Sequence, residues 1–303
     1  MSVVDHRAVL AGLTADERSA LIARSDATGL RHLAGHVGAI AVGATLIGLR
    51  VPGWQLVLIV QGVLVAFLFT LLHETVHRTP FKTRRLNDAV AKIVAFSIFL
   101  LPVWFRHFHL AHHRYTNDPE RDPELSAPRP STPAQFFIYL SGVPEMVARF
   151  TNLARNAVRS NTDWYVPQRS RATVRREAVT HIAAYVVLAV VSVATSSALL
   201  FWIWVLPVMI GAPFLRAYLL AEHAGCPPVE NMLENTRTTF TGRLVRFVTW
   251  NMPFHAEHHA FPAVPFHKLA AFHEHTRQHL VSTEDGYLTF TQKYLESVTA
   301  TES

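Results

Sequence analysis

Cysteine is almost absent: one residue, Cys226, in 303. That excludes an intramolecular disulfide and any zinc or iron–sulfur site built from thiolates. Charge is also scarce, at 17% of residues, while half of the chain is hydrophobic and the mean hydropathy is positive. Such a composition argues against an ordinary soluble enzyme and for a membrane-embedded unit. The start of the chain, MSVVDHRAVLAG, has neither the basic opening nor the apolar stretch of a secretory signal. Insertion is therefore expected to be directed by the apolar segments themselves.

The formal charge of +6 could point to nucleic acid. The basic residues, however, flank apolar runs and form no groove interleaved with aromatics, so they read as membrane-surface charge and no nucleic-acid partner is expected.

Apolar runs occupy about 30 to 49, 54 to 72, 89 to 105, 179 to 197 and 199 to 221. Each approaches the roughly 20 residues of a bilayer crossing. Very short turns separate the first two (Arg50, Pro52, Gly53) and the last two (Ser196, Ser197), which predicts two transmembrane hairpins. The third run is shorter, opens with Asp88 and Lys92 and contains Pro102. If it does not cross, then Lys82, Arg84, Arg85, Arg106, Arg114, Arg121 and the arginines from 149 to 176 all share one face with both termini, leaving Arg50 opposite. The positive-inside rule selects that topology: four spans with the termini cytoplasmic. Before the first span, Thr14 and Glu17 have the spacing of a capping box and predict a short surface helix over 14 to 25.

Histidine is abundant, with 18 residues, and clustered. His73 and His77 lie four apart in HETVH at the end of the second span, on one helix face. His109, His112 and His113 (HLAHH) and His255, His258 and His259 (HAEHH) share a spacing. In each triplet the first ring is one turn from the other two, and those two diverge by about 100° and can reach different metals. His223 directly follows the fourth span and adds a ninth imidazole at the same surface. Imidazole suits zinc, copper, iron and nickel, so ligand type alone does not name the metal. Eight or nine neutral ligands exceed what one four-coordinate ion uses, whereas two octahedral-like irons would use them.

Other histidines read differently. His32, His36 and His181 fall at membrane boundaries and are expected to be interfacial; His267, His273, His275 and His279 are expected on a solvated helix face; His107 is left out of the site. Glu74, Asp118, Asp122, Glu222 and Glu257 are placed to accept from ring N–H groups. Asn117 and Asn251 are expected to shape the loops around the triplets, and Arg216 to snorkel to headgroups or meet an acidic group of the substrate.

At these residues the sequence resembles the membrane fatty acid desaturase superfamily. HETVH is similar to its first box, HLAHH with RYTNDPERDPE to its second, and NMPFHAEHHAFPAVPFHKL to its third. The resemblance covers roughly residues 30 to 280. It implies an all-α integral membrane fold whose four transmembrane helices carry a cytosolic helical cap with a histidine-rich di-iron site. In segments, that is an N-terminal cytosolic helix over 1–28, a desaturase-type domain over 29–280 and a C-terminal tail over 281–303. The chain departs from many acyl desaturases at His255, where glutamine is common, and at Leu219, where asparagine is common.

The resemblance further implies two iron ions, O2 as co-substrate, and formation of a C=C bond in a fatty acyl or lipid substrate. No histidine-proline-glycine-glycine haem motif occurs, so a separate electron donor of ferredoxin or cytochrome type with its reductase is expected. A bacterial inner membrane is the expected location. Hydroxylation of an acyl chain begins with the same hydrogen abstraction, and a small amphiphilic or amino-acid-derived substrate would suit the same chemistry. A metal transporter would instead place ionisable ligands near the bilayer midplane, where the second and fourth spans have none.

Overall fold

Ser25 opens the first long helix, its hydroxyl accepting from the Thr28 amide at 3.2 Å. In the computed structural model, which describes residues 4–300, two short helices precede it. Helix α1 (His6–Gly12) was not anticipated; its N-cap is Asp5. Helix α2 (Ala15–Leu21) has the anticipated capping box, Thr14 with Glu17. The first span, α3 (Asp26–Gly48), turns at Arg50 and Gly53, both with positive φ, into α4 (Trp54–Ala66). A slight offset at Phe67 separates α4 from α5 (Leu68–His77), and the two form one 24-residue apolar crossing.

The third apolar run divides into α6 (Arg84–Ser97) and α7 (Pro102–Tyr115), bent by 100° at the break, where Pro102 restarts the helix. His77, at the end of α5, and His109, on α7, meet at 2.8 Å, so this run returns to the side it left. Helices α8 (Pro133–Leu140) and α9 (Val143–Val158) follow, and then the third span, α10 (Gln168–Ala194). A π-helical turn over Phe201–Val205 leads into α11 (Leu206–His223), and together they make the fourth span.

Spans two and four pack closest. Gly62 of α4 and Gly211 of α11 face one another, and a methyl group on either would collide with the opposite backbone. Small residues permit this approach where lipid supplies no hydrophobic drive between helices. The outer faces of the spans remain apolar and exposed, as at Val42, Val60, Val186 and Val190.

The cap is completed by α12 (Met232–Asn235), α13 (Arg243–Val248), α14 (His255–Ala260), α15 (Leu269–Thr276) and α16 (Tyr287–Ala300). Two-residue strands β1 (Thr238–Thr239) and β2 (Thr283–Glu284) pair in parallel and tie its ends. Trp250 and Phe266 are fully buried beneath it.

Three readings of boundary histidines are corrected here. His36 is wholly buried: its Nδ1 accepts from the Trp250 indole at 3.1 Å, which leaves Nε2–H to donate to the Leu64 carbonyl at 2.9 Å. A long-range pair cannot be read from local hydropathy. His181 is buried against the edge of Phe96, and His32 is partly buried with Nε2 2.8 Å from the Phe247 carbonyl.

Candidate metal centre

Helix α5 ends where Arg78 takes a left-handed conformation, φ 61°. Thr79 then folds back to donate to the Glu74 carbonyl and carboxylate, which fixes the turn that presents His73 and His77. Asn117, φ 61°, ends the segment after α7, its amide nitrogen donating to the Asn235 carbonyl at 2.7 Å. Trp250 and Asn251, both with positive φ, swing the chain into α14, and Asn251 donates to the Phe266 carbonyl at 3.0 Å. Both asparagines therefore shape the loops as anticipated.

These elements bring all nine site histidines together in two adjoining groups. In the first, the ligand nitrogens of His73, His77, His109, His113 and His258 lie within 4.8 Å of one another. The Nε2 atom of His109 lies 2.8 Å from that of His77 and 2.9 Å from that of His113, whose own Nε2 is 3.2 Å from that of His258. In the second, His112, His223 and His259 converge, and the Nε2 of His223 is 3.1 Å from the Nε2 atoms of both His112 and His255. Neighbouring residues part company as their helical angle requires: His112 and His113 face different groups, and so do His258 and His259. The His113 and His259 rings stack at 4.0 Å between the groups.

Hydrogen bonding alone does not satisfy these rings. Both nitrogens of His73, the Nδ1 atoms of His113, His255 and His258, and the Nε2 of His259 are buried without a hydrogen-bond partner. A neutral imidazole has one N–H, so a nitrogen that faces two others cannot serve both. A cation would. Two ligands at right angles on one ion, each about 2.1 Å from it, stand about 3.0 Å apart, which matches the nitrogen spacings.

Burial, and then the neighbouring rings, hold His109, His113, His255, His258 and His259 well below the usual imidazole range. They stay neutral, with lone pairs available for a metal. His112 differs: burial opposes its charged form, but Glu124 and Asp122 outweigh burial and raise it. Its Nδ1 lies 3.0 Å from Asp122, which leaves Nε2 facing His223.

Two hydroxyls set further tautomers. Thr116 donates to the His112 carbonyl at 2.8 Å, so its oxygen accepts from His259 Nδ1 at 3.2 Å. Thr236 donates to Asn235 and so accepts, at 3.5 Å, from His223 Nδ1. The lone pairs of Nε2 then point inward on both.

Of the five acidic residues expected to support the rings, three lie beside them: Asp122 on His112, Glu222 at 3.3 Å from His255 Nδ1 and Glu74 at 3.8 Å from His258 Nδ1. Two are corrected. Asp118 pairs with Arg121 at the surface. Glu257 points away from the histidine groups, accepting from Thr238 and Thr276 and meeting His273 Nδ1 at 2.5 Å. His273 is accordingly mostly buried and not on a solvated face. His107 sits 2.9 Å from Ser170 Oγ, outside both groups. Arg216 meets Glu145 at 3.4 Å and lies 3.8 Å from the Tyr139 ring centroid, so a protein carboxylate takes the place expected for headgroups or substrate. Glu124, 3.7 Å from His112 Nδ1, was missed, although it lies within the DPERDPE segment.

Four candidate membrane spans beneath two largely buried histidine groups define a membrane protein with a centre able to bind metal. The family model described as fatty acid desaturase matches residues 52–291, and the chain belongs to that family of di-iron oxidoreductases. No curated protein matches the chain.

Proposed function

We propose that the protein is an O2-dependent desaturase that introduces a C=C bond into a fatty acyl or lipid substrate, using two irons held by the nine histidines. His73, His77, His109, His113 and His258 would hold one ion, and His112, His223, His255 and His259 the other. The observation that carries this reading is the convergence of two sets of largely buried imidazoles, several with unpartnered nitrogens.

Bound iron supplies what no side chain can, the oxidation of an unactivated C–H bond by O2. The overall change removes two hydrogens from adjacent carbons and reduces O2 to two waters, with two electrons and two protons from outside. A separate ferredoxin- or cytochrome-type donor would deliver the electrons.

The chain's own groups position and insulate. Asp122 holds the Nδ1 proton of His112, and Thr116 and Thr236 orient His259 and His223. Phe105 stacks on His109 with ring centroids 5.6 Å apart, and Phe69 packs on Phe105, so apolar rings close that side against water. The distribution of arginine and lysine supports a cytoplasmic position for the histidines and both termini.

The test is metal analysis of detergent-purified wild type and His109→Ala, paired with mass spectrometry of host lipids with and without expression. About two irons per chain, reduced in the variant, and an acyl product lighter by two hydrogens are expected. A product heavier by one oxygen would replace desaturation with hydroxylation, and a protein that takes up zinc but no iron would end the di-iron reading.

A further inference from the structure

Beside the first histidine group, α5, α6, α7 and α10 line an open cleft of about 750 Å³ to which none of the nine histidines contributes. Its walls are of two kinds. Val76, Ile93, Phe96, Pro102 and Val103 make an apolar floor, and Arg78, Lys92, Arg106 and Arg176 bring positive charge to the same space.

Most of that charge is not neutralised from within. Asp88 is committed to Arg78 at 3.1 Å and to Arg84 at 3.8 Å. Glu177 accepts from the Val103 amide at 3.1 Å, in the first turn of α7, where N–H groups lack helical partners. Lys92, Arg106 and Arg176 make no ion pair among the described residues, so three cations face one remaining carboxylate. Two of the residues that line it, Arg106 and His181, each keep one buried side-chain nitrogen without a hydrogen-bond partner, Nη1 and Nδ1 respectively. Lys92 and Arg176 are exposed and unpaired, so an anionic group entering the cleft can reach both.

We propose that this cleft binds the acidic head of an acyl amphiphile, with the phosphate or carboxylate on Arg106, Arg176 and Lys92 and the chain along Phe96, Ile93 and Val103. Ile93 and the outward face of α10 at Val179 and Val186 are exposed, so the cleft opens toward the bilayer and a lipid can enter sideways. A free phosphate would have no use for the apolar floor, and a neutral lipid none for three unpaired cations. The volume lies in the range of small-molecule sites. This inference does not rest on the proposed reaction, because none of the nine histidines lines the cleft.

Native mass spectrometry of the full-length protein in neutral detergent tests it, with dioleoylphosphatidylglycerol, dioleoylphosphatidylcholine and oleate as probes. One phosphatidylglycerol retained per chain is expected, with phosphatidylcholine weaker by about tenfold or more. Arg106→Gln combined with Arg176→Gln is expected to lower retention by about tenfold or more, since charge-assisted contacts of this kind carry that much affinity. Lys92→Gln, at an exposed position that cannot disturb the fold, is expected to weaken retention in the same direction. Displacement of phosphatidylglycerol by oleate would assign the site to acyl carboxylates as well as phosphates, and failure to displace it would restrict the head to phosphate. Equal retention of the two phospholipids, or retention unchanged in both variants at unchanged melting temperature, would overturn the proposal.

Discussion

His112 Nδ1 lies 3.0 Å from Asp122 Oδ1, with both side chains almost wholly buried. Asp122 also accepts from the amides of Asn117 at 2.8 Å and Glu124 at 2.9 Å, so its carboxylate is pinned between loop and ring. Asp122→Asn would turn an amide donor toward one of these N–H groups. Metal affinity is expected to fall by about 10- to 100-fold, as for other partners of metal-bound imidazoles, measured by chelator competition. Unchanged affinity would remove Asp122 from the site's support.

The second box contains a built-in contrast. His113 faces two imidazoles of the first group, whereas His107 is engaged by Ser170. His113→Ala is expected to lose at least about one metal equivalent per chain, and His107→Ala to retain full loading. Equal metal content in the two variants would contradict the grouping.

Glu145 links α9 to the fourth span through Arg216 at 3.4 Å and pairs within its own helix with Arg149 at 2.9 Å. Burial would raise its pKa, but the two guanidiniums outweigh burial and lower it from 4.5. A carboxyl depressed on folding adds stability above its unfolded value, and that stability is lost as pH falls through the folded value. Wild type should therefore lose part of its stability only below about pH 4.5. Glu145→Gln should be less stable by about 1–2 kcal/mol at neutral pH, with a flatter acid profile, because the pairs are partly exposed. Parallel acid profiles for the two proteins would refute the linkage.

Where the second and fourth spans cross, Gly211 has no room for a Cβ against the Gly62 backbone. Gly211→Ala is expected to cost about 1–3 kcal/mol by overpacking, seen as a lower melting temperature in detergent. Gly38, whose Cβ position is open within 4 Å, serves as the control, and Gly38→Ala should cause no loss. A stable Gly211→Ala protein would show that the crossing is looser than described.

The histidine boxes were legible because their chemistry is local. Spacing on a helix decides which rings share a face, so the divergence of His112 from His113 and of His258 from His259 follows from 3.6 residues per turn. The four spans were legible for a similar reason, since a bilayer demands long apolar runs whatever their neighbours are. The third run needed the positive-inside rule as well, and the contact between His77 and His109 agrees with the non-crossing path that the rule selected.

What the sequence by itself determined was therefore the membrane class, the four candidate crossings and the spacing of the histidines on each helix, all properties of single helices in a given solvent. Only the tertiary structure decided how those histidines divide, and which acids attend them. Glu257 and Asp118 lie as close in sequence to the boxes as Asp122 does, yet one is held by Thr238 and His273 and the other by Arg121. His36, placed by hydropathy at a boundary, is buried because Trp250, 214 residues away, donates to it. Burial and partner choice depend on which distant segments pack together, and no local pattern encodes that.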